Sequence, residues 1–232
     1  MKQYGGSLDA GRILGRWGDL RVGGFASRNS GSVLIGPEVA PPFAATDAGL
    51  RLGLNADTLD SVIFPRRGWR LFSSYSNSID SFGADAPGGR AYAGVLGAIG
   101  IGKSTVVPHV EYGDNFRTSS NFGQLFPLGG LWRLSGLARN ELVGARMALA
   151  SVIFYQEIVK VGLGVVRTSV YVGGSIEAGN VFRETDPFSL GALDAGGSIF
   201  LGADTLIGPA YLACGFAENG RRRYYVSIGQ TF

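Results

Sequence analysis

Few residues in this chain could carry out a reaction, and each has to be weighed against its neighbours. Gly97 to Ser104 reads Gly-Ala-Ile-Gly-Ile-Gly-Lys-Ser, the spacing of a loop whose backbone N–H groups and lysine surround a nucleotide's phosphates. That chemistry needs a helix whose N-terminus opens directly after the loop. The next residues are instead Thr105-Val-Val-Pro-His-Val-Glu-Tyr112, β-branched and interrupted by Pro108, which is poor helix material. The same glycines suit a tight hairpin turn, and a turn is expected here. The chain has one histidine, His109, and one cysteine, Cys214. A Ser–His–Asp site would hang on His109 with no evident serine partner, and no Gly-x-Ser-x-Gly elbow occurs. One cysteine excludes an internal disulfide and a multi-cysteine metal centre, and a metal-binding histidine would want companions. Asp57 and Asp60 fall in a turn, where capping their own backbone is the ordinary role of such carboxylates. No catalytic, metal or cofactor site is expected.

The chain is organised around a different stretch, Phe126 to Glu141, Phe-Pro-Leu-Gly-Gly-Leu-Trp-Arg-Leu-Ser-Gly-Leu-Ala-Arg-Asn-Glu. Gly129, Gly130 and Gly136 break regular structure and Pro127 lacks a donor, so it reads as a loop. Yet it carries Phe126, Leu128, Leu131, Trp132, Leu134 and Leu137, too much apolar surface to leave in water. A long loop with hydrophobic content of its own usually folds against something and has a job. Two readings stay open from these residues alone: a loop that folds back into the mouth of a β-barrel, or a surface hairpin loop with an apolar tip.

The elements around it alternate with a period of two. Leu50, Leu52 and Leu54 share one face while Arg51, Gly53 and Asn55 share the other. Similar runs are read at Gln3–Leu14, Asp19–Ser27, Ala48–Asn55, Trp69–Ser76, Arg90–Ile99 and Lys103–Tyr112, then Ala145–Ile158, Thr168–Asn180, Gly196–Asp204, Tyr211–Ala217 and Arg223–Phe232. This is an all-β pattern of about 10–12 strands without an amphipathic helix, the rhythm of a sandwich or barrel. Val170, Val172, Ile176 and Ala178 oppose Tyr171, Gly173, Ser175 and Glu177. Tyr224, Val226, Ile228 and Phe232 oppose Tyr225, Ser227, Gly229 and Thr231.

Charged residues make up only 17% of the chain, aromatics 11%, and 38 glycines are scattered through the strand-like runs. Alternately short and long connections, few charges and a terminal Phe232 favour an antiparallel transmembrane barrel, lipid on one face and a crowded lumen on the other. The net charge of +3 is dispersed apart from Arg221-Arg222-Arg223, read as part of a turn with Glu218-Asn219-Gly220, so no nucleic-acid footprint is seen. No apolar run is long enough for a transmembrane helix, and no apolar segment follows Lys2 to make a signal peptide.

Several motifs then carry a resemblance. Asp57-Thr-Leu-Asp60 with Phe64-Pro65-Arg-Arg-Gly68, then Gly129-Gly130 with Leu134-Ser135-Gly136-Leu137, then Glu177-Ala-Gly-Asn180, resemble the bacterial surface-antigen barrel. That is the membrane domain of the outer-membrane assembly-factor superfamily, which includes two-partner secretion transporters. The tail from Leu201 to Phe232 looks more narrowly like the C-terminal barrel of patatin-like phospholipase autotransporters. The resemblance implies a sixteen-stranded barrel preceded by a signal peptide, a patatin domain and a periplasmic docking module. None of these precedes Tyr4, so residues 1–232 are expected to be one outer-membrane barrel domain, truncated at its N-terminal side. It further implies no enzyme activity in this chain and no cofactor. The implied partners are the outer-membrane bilayer, the barrel-assembly machinery and a passenger domain, with a homodimer also considered and nucleic acid excluded. Tyr224, Val226, Ile228 and Phe232 would form the C-terminal assembly signal. In the superfamily the lid loop carries an arginine held by acidic groups on the lumen wall. Here Leu134-Ser135-Gly136-Leu137 occupies that motif, so the arginine is missing. Glu177 and Asp204 match the acidic wall positions, with Arg133 or Arg139 as candidate substitutes for the absent cation. Competing functions are a barrel that inserts or exports other proteins and a passive porin; a soluble sandwich is the non-membrane alternative.

Overall fold

The structure is a computed structural model that describes residues 2–31, 43–117, 125–163, 166–184 and 186–229. Phe232, Thr231, Pro37, Pro41 and Pro42 lie outside the described residues, as does the loop segment 118–124. The strands are β1 (Lys2–Leu14), β2 (Gly18–Gly31), β3 (Phe43–Asp57), β4 (Arg67–Ser78), β5 (Gly88–Ile101) and β6 (Ser104–Arg117). Two three-residue strands follow, β7 (Phe126–Leu128) and β8 (Leu142–Gly144). Then come β9 (Arg146–Leu163), β10 (Val166–Phe182), β11 (Asp194–Thr205), β12 (Gly208–Ala217) and β13 (Arg221–Ile228). The long strands form one eleven-stranded sheet in the order β1-β2-β3-β4-β5-β6-β9-β10-β11-β12-β13, while β7 and β8 pair only with each other. Neighbours in sequence are neighbours in the sheet, as expected when hairpin connections are tight. The backbone divides into two compact units, Met1–Ala56 with Phe72–Ala93 and Gly113–Leu125, and Asp57–Leu71 with Gly94–Tyr112 and Phe126–Phe232.

The candidate phosphate loop is a hairpin. β5 ends at Ile101, Gly102 sits at φ 60, and β6 begins at Ser104 with no helix to receive a phosphate. Arg221-Arg222-Arg223, read from the sequence as turn, are the opening of β13, opposite Ala217, Phe216 and Gly215. The reversal is completed one residue earlier, by the 3₁₀ turn Glu218–Gly220 with Gly220 at φ 71.

Within the second unit the sheet carries large apolar side chains on its exposed face. Phe154, Val172, Ile176, Ile199, Leu201 and Leu212 are exposed, Ile176 at 70%. The residues between them on the same strands, including Ser151, Tyr155, Glu177, Ser198 and Tyr211, are buried. On β13, Tyr224 and Val226 are 80% and 83% exposed while Tyr225 is half-buried. A water-soluble sheet hides its apolar face and wets its polar one. Here the exposed face is the apolar one, while the buried face mixes polar groups with Ile153, Phe200 and Ala213, which is the pattern of strands facing hydrocarbon. A substitution separates the two solvents. If Ile176 faces lipid, Ile176→Arg costs about 2–4 kcal/mol of unfolding free energy in a bilayer. In water an exposed site would tolerate it to within about 0.5 kcal/mol. Denaturant titration of the protein folded into lipid vesicles reads the difference.

Candidate functional site

The segment from Phe126 to Gly144 doubles back on itself because β7 and β8 pair, Phe126 opposite Gly144 and Leu128 opposite Leu142. Its tip then lies against the inner face of the second unit. Phe126, Leu128, Leu131, Trp132, Leu134, Ser135 and Leu137 are all buried. The backbone is forced to make this turn: Gly129 and Gly130 stand at φ 122 and 114, and Trp132 and Leu134 at φ 64 and 67. Bulky side chains in that region cost about 1–3 kcal/mol each, so the surroundings must hold them there.

A carboxylate does much of the holding. Glu177 on β10 is 4% exposed; its Oε2 accepts the Ser135 N–H at 2.6 Å and its Oε1 accepts the Ser135 hydroxyl at 2.6 Å. Ser175 donates to the same Oε1 at 2.5 Å and reaches Ser198 at 2.7 Å. The Ser135 hydroxyl oxygen in turn accepts the Trp132 N–H at 2.8 Å, closing the tip on itself. From β13 the Tyr225 hydroxyl stands 2.7 Å from the carbonyls of both Ser135 and Leu137 and can give its one proton to either. The loop backbone fits this closely because the wall lacks side chains. A Cβ on Gly215 would come within 1.9 Å of the Ser135 oxygen, and one on Gly136 within 2.2 Å of the Ala217 nitrogen.

Arg133 turns the other way, along β6. One guanidinium nitrogen lies 2.6 Å from both oxygens of Glu111, and His109 Nε2 lies 3.1 Å from Glu111 Oε1. The other terminal nitrogen touches the Pro127 carbonyl and Met147 Sδ at 3.4 and 3.5 Å. At the outer end Glu141 accepts the Ala138 N–H at 2.7 Å, pairs with Arg221, and lies 3.8 Å from Arg223.

The loop's aromatic side meets a second inward segment. Trp132 packs edge-on against Tyr211 (4.9 Å between centroids) and Phe200 (5.6 Å). The turn 57–68 supplies Phe64, stacked on Tyr171 at 3.9 Å and edge-on to Tyr155 at 5.5 Å. The Tyr155 hydroxyl donates to the buried Pro65 carbonyl. Asp57 caps Leu59 N–H at 2.9 Å and pairs with Arg70, and Asp60 accepts the Arg66 and Arg67 N–H groups. Gly68, at φ 103, has the Thr58 carbonyl where a Cβ would stand.

These contacts revise the expected charge pairing. Arg133 meets Glu111, not Glu177 or Asp204, and Glu177 is satisfied by hydroxyls and an amide rather than by a cation. Arg139 is exposed and forms no ion pair among the described residues. Asp204 lies near the far end of β11, opposite Pro209, and the strand rises about 26 Å between Gly196, which abuts Leu134, and Asp204. It forms no ion pair with the loop among the described residues. Glu111, Tyr225 and Glu141 were overlooked as loop partners; for Glu111, alternation with Val107 and His109 was the available signal.

A search of solved structures finds this same architecture. BamA from Haemophilus ducreyi, in a structure lacking POTRA domains 1–3, superposes with a TM-score of 0.71 at 17% identity, over 97% of this chain and 52% of that one. The fold is that of the BamA β-barrel. The chain spans about half the length of the BamA structure it matches. No family profile and no curated protein matches the sequence. The BamA-like fold accounts for the all-β sheet with its outward apolar face.

Two outcomes test the docking of the loop. Gly215→Val should push the tip off the wall and make residues 126–141 protease-sensitive in an otherwise folded barrel; unchanged cleavage would show that the contact is dispensable. The Ala138 N–H and then Arg221 hold the Glu141 carboxyl below its ordinary value. A lowered carboxylate pKa contributes stability above the unfolded value and loses it as pH falls through the folded one. The outer anchor should therefore persist through neutral and mildly acidic solution and open only in stronger acid. Glu141→Gln should remove that acid step from a protease-sensitivity profile against pH.

Proposed function

We propose that this chain is the membrane-embedded translocator or anchor domain of a patatin-like autotransporter, resident in the bacterial outer membrane. In this reading it presents or secretes a passenger domain that is not contained in residues 1–232. The barrel-assembly machinery is its partner during insertion, and the lipid bilayer thereafter. The observation that carries the reading is the interior of the second unit, occupied by the chain's own loop and by Phe64 from the facing turn. A passive porin needs an open aqueous lumen. A polypeptide translocator needs a lumen closed at rest, with a plug held by bonds weak enough to exchange. Hydroxyl and amide contacts to Glu177 fit that need, since each is worth roughly 0.5–3 kcal/mol net. The lid motif Leu134-Ser135-Gly136-Leu137, without the arginine expected elsewhere in the superfamily, agrees with the patatin branch.

A second reading is a barrel that inserts other proteins, and the likeness to BamA favours it. One experiment distinguishes them. An exported fusion with an epitope-tagged passenger ahead of Lys2 should display the tag to external protease on intact cells. A passenger retained in the periplasm beside a properly inserted barrel would reject the translocator reading.

A further inference from the structure

The first compact unit holds a cavity of about 420 Å³. Its size falls in the range of small-molecule sites. Asn29 lines it, is only 5% exposed, and has an Oδ1 that accepts no hydrogen bond from any described residue. A buried acceptor without a donor costs about 1–3 kcal/mol, so something that donates belongs beside it. The charges around the cavity do not point to an ion. Arg51 Nε donates to Asp9 at 2.6 Å and its Nη2 to Ser7 at 2.9 Å, and Arg21 donates to Asp19 at 2.6 Å. Asp47 and Arg90 add one charge of each sign to the same lining, so little unbalanced field is left to recruit an anion. The uncharged lining combines the short polar groups of Ser27, Ser74, Ser76 and Gln3 with Leu52 and the Phe25 and Tyr75 rings. Gln3 stands directly opposite Asn29 across the β1–β2 ladder. Small polar groups that both donate and accept, set beside aromatic rings, match a ligand with many hydroxyls and an apolar C–H face.

We propose that this cavity is a binding site for a neutral saccharide, with Asn29 Oδ1 accepting a sugar hydroxyl and Phe25 packing on the pyranose face. The site lies within the first unit, so the inference is independent of how the inserted loop of the second unit works. Saturation-transfer NMR on the full chain in a detergent without a sugar headgroup, with maltotriose as the probe, tests it. Binding in the millimolar range is expected, weakened about tenfold or more by Asn29→Leu. Inorganic phosphate should fail to compete. Phe25→Ala should weaken binding as well, and it carries the test should Asn29→Leu fail to fold. Absence of transfer to maltotriose would mean that water alone fills the cavity and would overturn the proposal. So would displacement of maltotriose by phosphate, which marks an anion site, or by a Gly-Ser peptide, which marks a polypeptide groove. Unchanged affinity in a folded Asn29→Leu protein would also overturn it.

Discussion

A strand in hydrocarbon must pair every backbone N–H and C=O with another strand, because no solvent is there to do it. That requirement governs the rest of the molecule. It selects long antiparallel strands joined in sequence order, and it leaves only side-chain alternation to distinguish the two faces. The outward face can carry Ile176, Leu212 and Val226 because hydrocarbon is their solvent. The inward face can carry Glu177 and Ser198 because their oxygens find partners there. The inserted loop escapes the ladder. Its irregular backbone is tolerated because it lies on the inner face, where Glu177 and Tyr225 meet the groups that the ladder cannot.

Holding that loop takes several modest contacts of different kinds. Ser135 is fixed by a carboxylate, Arg133 by another on a different strand, and Trp132 by aromatic edges. Buried charge pairs often contribute little net stability, since desolvation offsets attraction. What they supply here is position: Glu111 and Glu177 locate the two sides of the tip, and two positive-φ side chains record the conformation so imposed. The glycines of the wall matter equally. At Gly215 the loop carbonyl occupies the space of a missing side chain, so the fit depends on backbone meeting backbone.

Much of the sheet was legible in the sequence because period-2 alternation reports directly on which side chains share a face. The leucines of β3 and the valines of β10 mark their strands without ambiguity, and the tight Gly102 turn could be told from a nucleotide loop by the β-branched run after it. The loop's apolar content left open a loop folded into the barrel or an apolar surface tip, and the structure has it buried. What could not be read was which charge meets which. Glu111 and Arg133 come together only because β6 and β9 are sheet neighbours across the loop, a long-range fact that no local pattern encodes. Asp204 illustrates the converse. It shares the inward face with Ser198 and Phe200, yet it forms no ion pair with the loop among the described residues, and parity says nothing of height. The early start of β13 was hidden for a similar reason: three consecutive arginines resemble a solvated turn until Arg221 is seen to meet Glu141.

Tyr225 belongs to the last strand of the sheet, and its hydroxyl is the clasp on the loop's carbonyls. Until β13 is laid against β12, that clasp does not exist, nor does the Arg221 contact to Glu141. Pairing of that edge strand and the clasping of the loop's carbonyls are thus coupled, and whatever frees the edge also unfastens one side of the loop.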